Sequence, residues 1–442
     1  SEAERSRVIS QLVPQLITEI GKPPPSKPEQ ADTTLAFKDA AYALLTNEGK
    51  PLLTDPAVRA QVETSLSRWA TTGFAQRLDD TSQKYGVVQV MRHLGAGGVA
   101  TLPSLLQPGA TKIDSITTLI AELGDPPTKL AGSQQLVALA RHLESPQRLE
   151  ASVQSLLQGA NPLPEARARE HALAQQNQEL MQVFGSMRRL GQPPTVSYLL
   201  SLATDSSKPD ERRAAALAAL EGQLEPRRGP QLDQLFALAD DVKTPLLVRD
   251  QALRRMADLP RQEVVSDLYR LFDSEQWKTR WLAAELVLRK SELRHLSEFM
   301  DHLEPVRRLA MVEAKRYGAL IAELKGATEP KGQHDLRQRV AKYVRSSEPQ
   351  AVRLTALGYY LANGSSTDVD DVARHERDAT PIPKCAADEP DCAWQCSVEQ
   401  NGQTEEKGLT TLGDFVHFCV LPALRGRSGD PAPAAERKGP VH

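Results

Sequence analysis

Aromatic side chains make up only 5% of this 442-residue chain, and cysteine is absent from its first 384 residues. With so few rings, small and aliphatic side chains must fill the core, which suits closely stacked helices. No run of 18 apolar residues occurs, so no segment reads as a membrane-spanning helix. Neither sign of charge dominates: 54 Lys and Arg against 57 Asp and Glu leave a net charge of −3. Without a basic field to hold phosphates, nucleic acid is not expected as a partner. Catalytic signatures are missing too. The nine histidines are scattered and none stands in an H-E-x-x-H pattern. Gly95-Ala-Gly-Gly98 follows no strand and precedes no Lys-Ser/Thr pair, so it reads as a turn between helices rather than a phosphate loop. His417 and Cys419 are two residues apart, which on a helix puts them on different faces. No catalytic, cofactor-binding or metal-ligating residue is assigned, and no cofactor is expected.

What is present is a recurring junction. An acidic or turn residue comes first, then polar residues or a proline, then an arginine just before an Ala/Leu-rich run. It appears as Asp55-Pro-Ala-Val-Arg59, Asp205 to Arg212, Asp241 to Arg249, Asp273 to Arg280, Glu304-Pro-Val-Arg307 and Glu348-Pro-Gln-Ala-Val-Arg353. The clearest unit places Leu232, Leu235, Phe236 and Ala239 on one helix face. The turn Asp240-Asp241-Val-Lys-Thr-Pro245 follows, and Arg249, Ala252, Leu253 and Met256 lie on the next helix. Val264, Val265, Leu268, Leu271 and Phe272, then Arg280, Leu282, Ala283 and Leu286, repeat the layout. Neither helix pair can bury its apolar face alone, so neighbours must stack. From 31 to 380 the pattern is helical throughout, with no convincing strand, and at roughly 40 residues per unit about eight or nine units fit.

This pattern resembles HEAT repeats, also found in armadillo-like solenoids. The resemblance is strongest over 195–290 and weaker over 85–145, where Lys112 stands in place of the arginine. It implies an all-α fold, a HEAT-like α–α superhelix (solenoid), with a ladder of contacts between neighbouring repeats made by Asp205 and Arg212, Asp241 and Arg249, and Asp273 and Arg280. At 146–190 the repeat is poor, and one longer, charged helix is expected.

The flanks differ. Residues 1–20 carry Val8, Ile9, Leu12, Val13, Leu16, Ile17 and Ile20 on one helical stripe, which Pro14 is expected to kink or split. Residues 21–30 include Lys22-Pro-Pro-Pro-Ser-Lys-Pro28 and predict an extended linker. Residues 381–424 hold all four cysteines, Cys385, Cys392, Cys396 and Cys419. An even cluster in a non-repeat tail predicts two disulfides and an oxidising compartment, with Cys392 to Cys396 the least favoured pairing. A four-cysteine zinc site and free thiols are the alternatives. Thr411-Leu-Gly-Asp414 predicts a capping box opening a helix with Leu412, Phe415, Val416, Cys419 and Val420 on one face. The segment is read as a small disulfide-stapled cap on the last repeat, and 425–442 as a disordered tail.

The expected function is a non-enzymatic helical-repeat scaffold or adaptor that binds another protein through its second helices. Exposed residues on 212–220, 249–257, 280–289 and 307–317 are the expected contacts, with Trp277, Arg307 and Arg308 singled out. An exported or cell-envelope complex is the expected setting, in the periplasm or at the cell surface. Ser1 is then placed close behind a signal peptide or a lipid anchor, as in an outer-membrane-associated lipoprotein. The alternatives are an enzyme on the same platform, a lyase or hydrolase, and a cytoplasmic adaptor with zinc in its tail.

Overall fold

The structure, a computed structural model, describes residues 2–23, 32–47, 52–79, 85–159, 162–227, 229–274, 276–382, 393–400 and 403–427. Cys385, Cys392, most of the Pro-rich linker and residues 428–442 lie outside these. The described chain is helical apart from one β-hairpin and short connections. The sequence pattern runs one array from 31 to 380, whereas the molecule divides into two compact units at Gln223 and Leu224.

The first unit begins with α1 (Glu2–Ile20), α2 (Thr34–Thr46), α3 (Pro56–Thr71), α4 (Phe74–Asp79) and α5 (Val87–Val99). It continues with α6 (Ile113–Leu123), α7 (Pro126–Leu143), α8 (Pro146–Gln158), α9 (Glu165–Leu190), α10 (Pro193–Thr204) and α11 (Asp210–Ala219). Helix α1 runs through Pro14 unsplit, burying Val13 and Ile20 while Val8 and Leu12 stay exposed. Trp69 anchors the N-terminal helices. Its Nε1 donates to Thr34 Oγ1 at 2.9 Å, and the Arg77 guanidinium lies 4.6 Å from its ring centre. Arg77 also donates to Asp32 at 3.0 Å. Burial alone would raise the Asp32 pKa, but the Thr34 hydrogen bonds and the Arg77 charge outweigh it and hold the carboxyl below its usual range.

The charged stretch at 146–190 contains the expected longer helix, α9 over Glu165–Leu190, preceded by the shorter α8. Helix α8 meets α9 around Val153, Ala168 and Ala172, and α9 itself runs 26 residues, about 39 Å at 1.5 Å per residue. Gly95-Ala-Gly-Gly98 marks a junction between two helical pieces, made by a sharp kink rather than a loop. Gly95, at φ 62° and ψ −141°, kinks α5, and the helix continues to Val99. Only glycine takes that backbone conformation without strain. Lys112 makes no repeat rung either: it sits at φ 59° before α6 and reaches Asp79 at 2.8 Å.

The second unit is built from helix pairs. They are α12 (Pro230–Asp240) with α13 (Leu246–Ala257), α14 (Arg261–Arg270) with α15 (Trp277–Arg289), α16 (Leu296–Leu303) with α17 (Met311–Ala322), and α18 (Pro330–Tyr343) with α19 (Gln350–Asn363). The faces predicted from sequence are largely the buried ones: Leu232, Leu235, Ala239, Ala252, Leu253, Met256, Val264 and Leu268 are all interior.

The repeated junction works differently from the expected Asp–Arg ladder. The aspartates fold back on their own turns: Asp205 accepts from Ser207 N at 3.0 Å, and Asp241 from Lys243 N at 2.9 Å. The arginines instead tie the second helix to the end of the first. Arg213 Nε donates to Ala203 O at 2.9 Å, Arg249 Nε to Ala239 O at 3.0 Å and Arg353 Nε to Val344 O at 3.1 Å. Each cation thus meets the negative end of the preceding helix dipole. In each case this arginine stands four residues after the proline that precedes the second helix, Pro209, Pro245 and Pro349, and its own N–H bonds that proline's carbonyl. The register corrects one expected rung: Arg213, not Arg212, is the equivalent of Arg249. Arg212 points instead to Glu144, Gln176 and Asn177. Asp273 likewise makes no ion pair with Arg280, which has other partners.

Helices α17 and α19 touch backbone to backbone. A Cβ on Gly358 would fall inside contact distance of the Ala314 carbonyl, and one on Gly318 would meet the Gly358–Tyr359 peptide. After α20 (Val369–Ala373) comes the cap. Strands β1 (Gln395–Gln400) and β2 (Gln403–Gly408) pair antiparallel, with Cys396 opposite Lys407. The sequence reading did not predict this hairpin. Then α21 (Leu412–Phe415), a π-turn at Val416–Val420 and α22 (Leu421–Arg425) run on from one another. The predicted capping box is present: Asp414 N donates to Thr411 Oγ1 at 3.1 Å, and Asp414 accepts from Thr411 N at 2.8 Å. All five residues of the predicted face are buried. Trp394 fixes the cap to the repeats, donating to Leu309 O at 3.0 Å and packing edge-on to Phe415. Arg427 donates to the carbonyls at the end of α19, Gly364 at 2.7 Å and Leu361 at 2.6 Å.

Cys396 and Cys419 form a disulfide joining the hairpin to the cap helix. Two of the four sulfurs are therefore taken from the set a zinc site requires. In the chain-entropy account a loop closed over 23 positions stabilises by about 3 kcal/mol. Reduction, or Cys396→Ala, is expected to lower the stability of the second unit by about that amount, read as a shift in urea midpoint. An unchanged midpoint would show that the cap is held by Trp394 and its apolar face alone.

Candidate functional site

The second helices α13, α15 and α17 lie side by side, and an open groove of about 670 Å³ runs over them. Its positions follow from helical spacing. On α15, Thr279, Arg280, Ala283, Ala284, Val287 and Leu288 face the core, which leaves Trp277, Trp281 and Leu282 on the other side. On α17, Val312, Lys315, Arg316 and Ala319 share the corresponding face, at spacings of three and four. Helix α13 adds Leu246 and Asp250. The floor is apolar, and part of it is open to solvent: Leu246 is 43% exposed and Val312 38%. Val242 and Leu247, near the start of α13, are also exposed, at 63% and 47%.

The rim carries charges that are mostly committed. Asp250 accepts from Arg254 at 2.8 Å, and Glu285 accepts from Arg316 at 2.7 Å and Arg289 at 2.6 Å. Burial would raise the Glu285 pKa, but these two arginines hold it below its usual value. Lys278 lies 5.5 Å from the Trp277 ring centre. Desolvation lowers the pKa of the Lys315 ammonium, and the Glu406 charge opposes that shift.

A second cleft of about 600 Å³ begins where the first ends. Val312 and Lys315 line both, and the second continues over Met311, Gln395, Glu406 and Phe418 beside the Cys396–Cys419 bridge. The repeat helices and the cap thus share one continuous surface.

The frame under the groove is held by a buried polar cluster. Arg280, 4% exposed, donates from α15 to both oxygens of Glu313 on α17, at 3.2 and 2.9 Å. Glu313, fully buried, also accepts from Ala310 N at 2.7 Å and Tyr317 OH at 2.9 Å. Burial pushes the Glu313 pKa up against the pull of Arg280, and it pushes Tyr317 up as well. Arg280 further donates to Ser274 O and Arg308 O, so it joins three segments.

Of the residues singled out from sequence, Trp277 lines the groove, and the expected contact ranges contain Asp250, Trp281, Leu282, Val312 and Lys315. Neither Leu246 nor Ala319 was singled out. Arg307 and Arg308 do not line the groove; they stand in the non-helical stretch before α17, not on a basic helix with Lys315 and Arg316. The buried role of Glu313 was also missed, because a glutamate in a helix ordinarily reads as solvated. Its position three residues after Ala310, where it caps the helix, is the one sequence signal for it. Among the described residues no group of three or more His, Cys, Asp or Glu side chains is placed to hold a metal ion. No helix among them is long and apolar enough to cross a membrane.

No protein-family model matches this sequence, and no curated protein sequence does. Among solved structures it is similar to a multiply substituted Kap121p at 14% identity and a TM-score of 0.35, covering 85% of this chain and 44% of that one. It is also similar to Kap121p bound to Nup53p, at 13% identity and a TM-score of 0.35, covering 83% and 43%. A third, Kap121p, has 13% identity and a TM-score of 0.34, covering 84% and 44%. The chain spans less than half the length of each. Likeness at this level carries no functional argument.

Proposed function

We propose that this chain is a non-enzymatic helical-repeat scaffold that binds another protein in the groove over α13, α15 and α17. One observation carries the reading: exposed Leu246 and Val312 flank a Trp277–Trp281 pair on a surface whose frame is fixed from below by Arg280 and Glu313. A rigid surface with aromatic anchors loses little entropy on binding, and such anchors dominate protein interfaces. The Cys396–Cys419 disulfide favours an oxidising setting, in keeping with a subunit of an exported or cell-envelope complex.

Leu246→Asp tests this with little risk to the fold. Residue 246 opens α13, where a carboxylate suits the helix dipole. The variant is expected to keep the wild-type melting temperature and to weaken capture of the native partner at least tenfold, the scale of a lost anchor of about 1.4 kcal/mol. Wild-type capture by this variant would overturn the assignment of the groove.

A further inference from the structure

The groove has a chemical bias as well as a shape. Its apolar floor and one of its cations are adjacent. Val312 and Lys315 are one turn apart on α17, so a group seated against Val312 lies about 5–6 Å from the Lys315 stem. The carboxylates nearby are already engaged: Asp250 holds Arg254, Glu285 holds Arg316 and Arg289, and Glu406, whose charge reaches Lys315, accepts from Ser397 Oγ. Lys315 forms no ion pair or hydrogen bond among the described residues, and it lines both clefts at their junction. Desolvation depresses its ammonium, so an incoming anion would relieve a cost that this surface now carries.

Resting on the groove as the binding site, we propose that it recognises an acidic-apolar peptide segment. A Leu or aromatic side chain seats between Leu246, Trp281 and Val312, and a carboxylate one or two residues away pairs with Lys315. A basic segment meets Lys315 with its own charge, and a purely apolar one desolvates Lys315 further without bringing it an anion. Charge complementarity of this kind sets partner choice and association rate more than area does.

The test uses the full chain and a random 12-residue peptide library displayed on phage. Enriched peptides are synthesised and titrated by fluorescence anisotropy. The expected peptides carry Asp or Glu within two positions of Leu, Phe or Trp. Their affinity falls at least tenfold with Lys315→Glu, falls with added salt, and is lost with Leu246→Asp. A peptide whose carboxylate is exchanged for lysine regains binding to Lys315→Glu. Circular dichroism melts show that each variant keeps the fold. Peptides that need Leu246 yet ignore Lys315→Glu overturn the acidic preference and leave the groove standing. Peptides indifferent to both variants, or a library that yields none, overturn both.

Discussion

A valine at Gly358 is expected to unfold the second unit. Helices α17 and α19 meet through Gly318 and Gly358 with no side chain between them, and even a single Cβ at 358 would strike the Ala314 carbonyl. The obstacle is backbone on both sides, so no side chain can rotate out of the way. Overpacking in cores costs about 1–3 kcal/mol where neighbours can yield. Here the two helices must separate, and a loss of more than about 3 kcal/mol is expected, a large share of the 5–15 kcal/mol typical of a domain. Gly185 is the internal control. It lies in α9 with nothing within 4 Å of a built Cβ, so Gly185→Ala is expected to stabilise by about 0.5–1 kcal/mol. Urea midpoints of the two variants should move in opposite directions. If Gly358→Val melts like the wild type, the close crossing of α17 and α19 is wrong.

The second large effect belongs to Glu313. Its carboxylate is fully buried and answers Arg280 through both oxygens while accepting from Ala310 N and Tyr317 OH. Glu313→Leu leaves a buried guanidinium and a buried hydroxyl without their acceptor, and a loss of about 3–5 kcal/mol is expected. The buried guanidinium accounts for much of that loss, so adding Arg280→Met should cost far less than it does alone. A double-mutant cycle is expected to give a coupling of about 2–3 kcal/mol. Strict additivity would show that the two side chains stabilise the fold independently. Because α15 and α17 carry most of the groove, the single variant should also weaken binding, whereas the double variant, with its frame repaired, should bind better than the single.

The repeat was legible in the sequence because its signal is local. Proline fixes the start of α11, α13 and α19, and in these three the arginine four residues on finds a carbonyl at the end of the preceding helix. Its partner was not legible, since a backbone oxygen nine or ten residues back leaves no mark on the residue types. The conspicuous aspartate was therefore assigned the contact, and Arg212 was chosen where Arg213 does the work. The Gly318–Gly358 crossing was hidden for a related reason: glycines inside helices read as weak points until the neighbouring helix is known. The cap hairpin escaped because Gln395-Cys-Ser-Val-Glu-Gln400 and Gln403-Thr-Glu-Glu-Lys-Gly408 carry few β-branched and no aromatic residues. The Asn401-Gly402 pair between them, which lies outside the described residues, was the available hairpin signal. The groove was half legible. Trp277 was singled out as a contact, but Leu282 was grouped with the apolar repeat face, and only the neighbouring helices show that Leu246 and Val312 complete the groove.

The central claim is that partners bind across the second helices, and a photo-crosslinking map tests it most directly. A photoreactive phenylalanine analogue is placed singly at Leu246, Leu282 and Ala319 in the groove, and at the exposed first-helix positions Asp233 and Ser266. The account predicts one common partner adduct at the three groove positions, absent at Asp233 and Ser266 and abolished when Trp281→Ala is added. Adducts of equal yield at the first-helix positions, or adducts at the groove that survive Trp281→Ala, would contradict it.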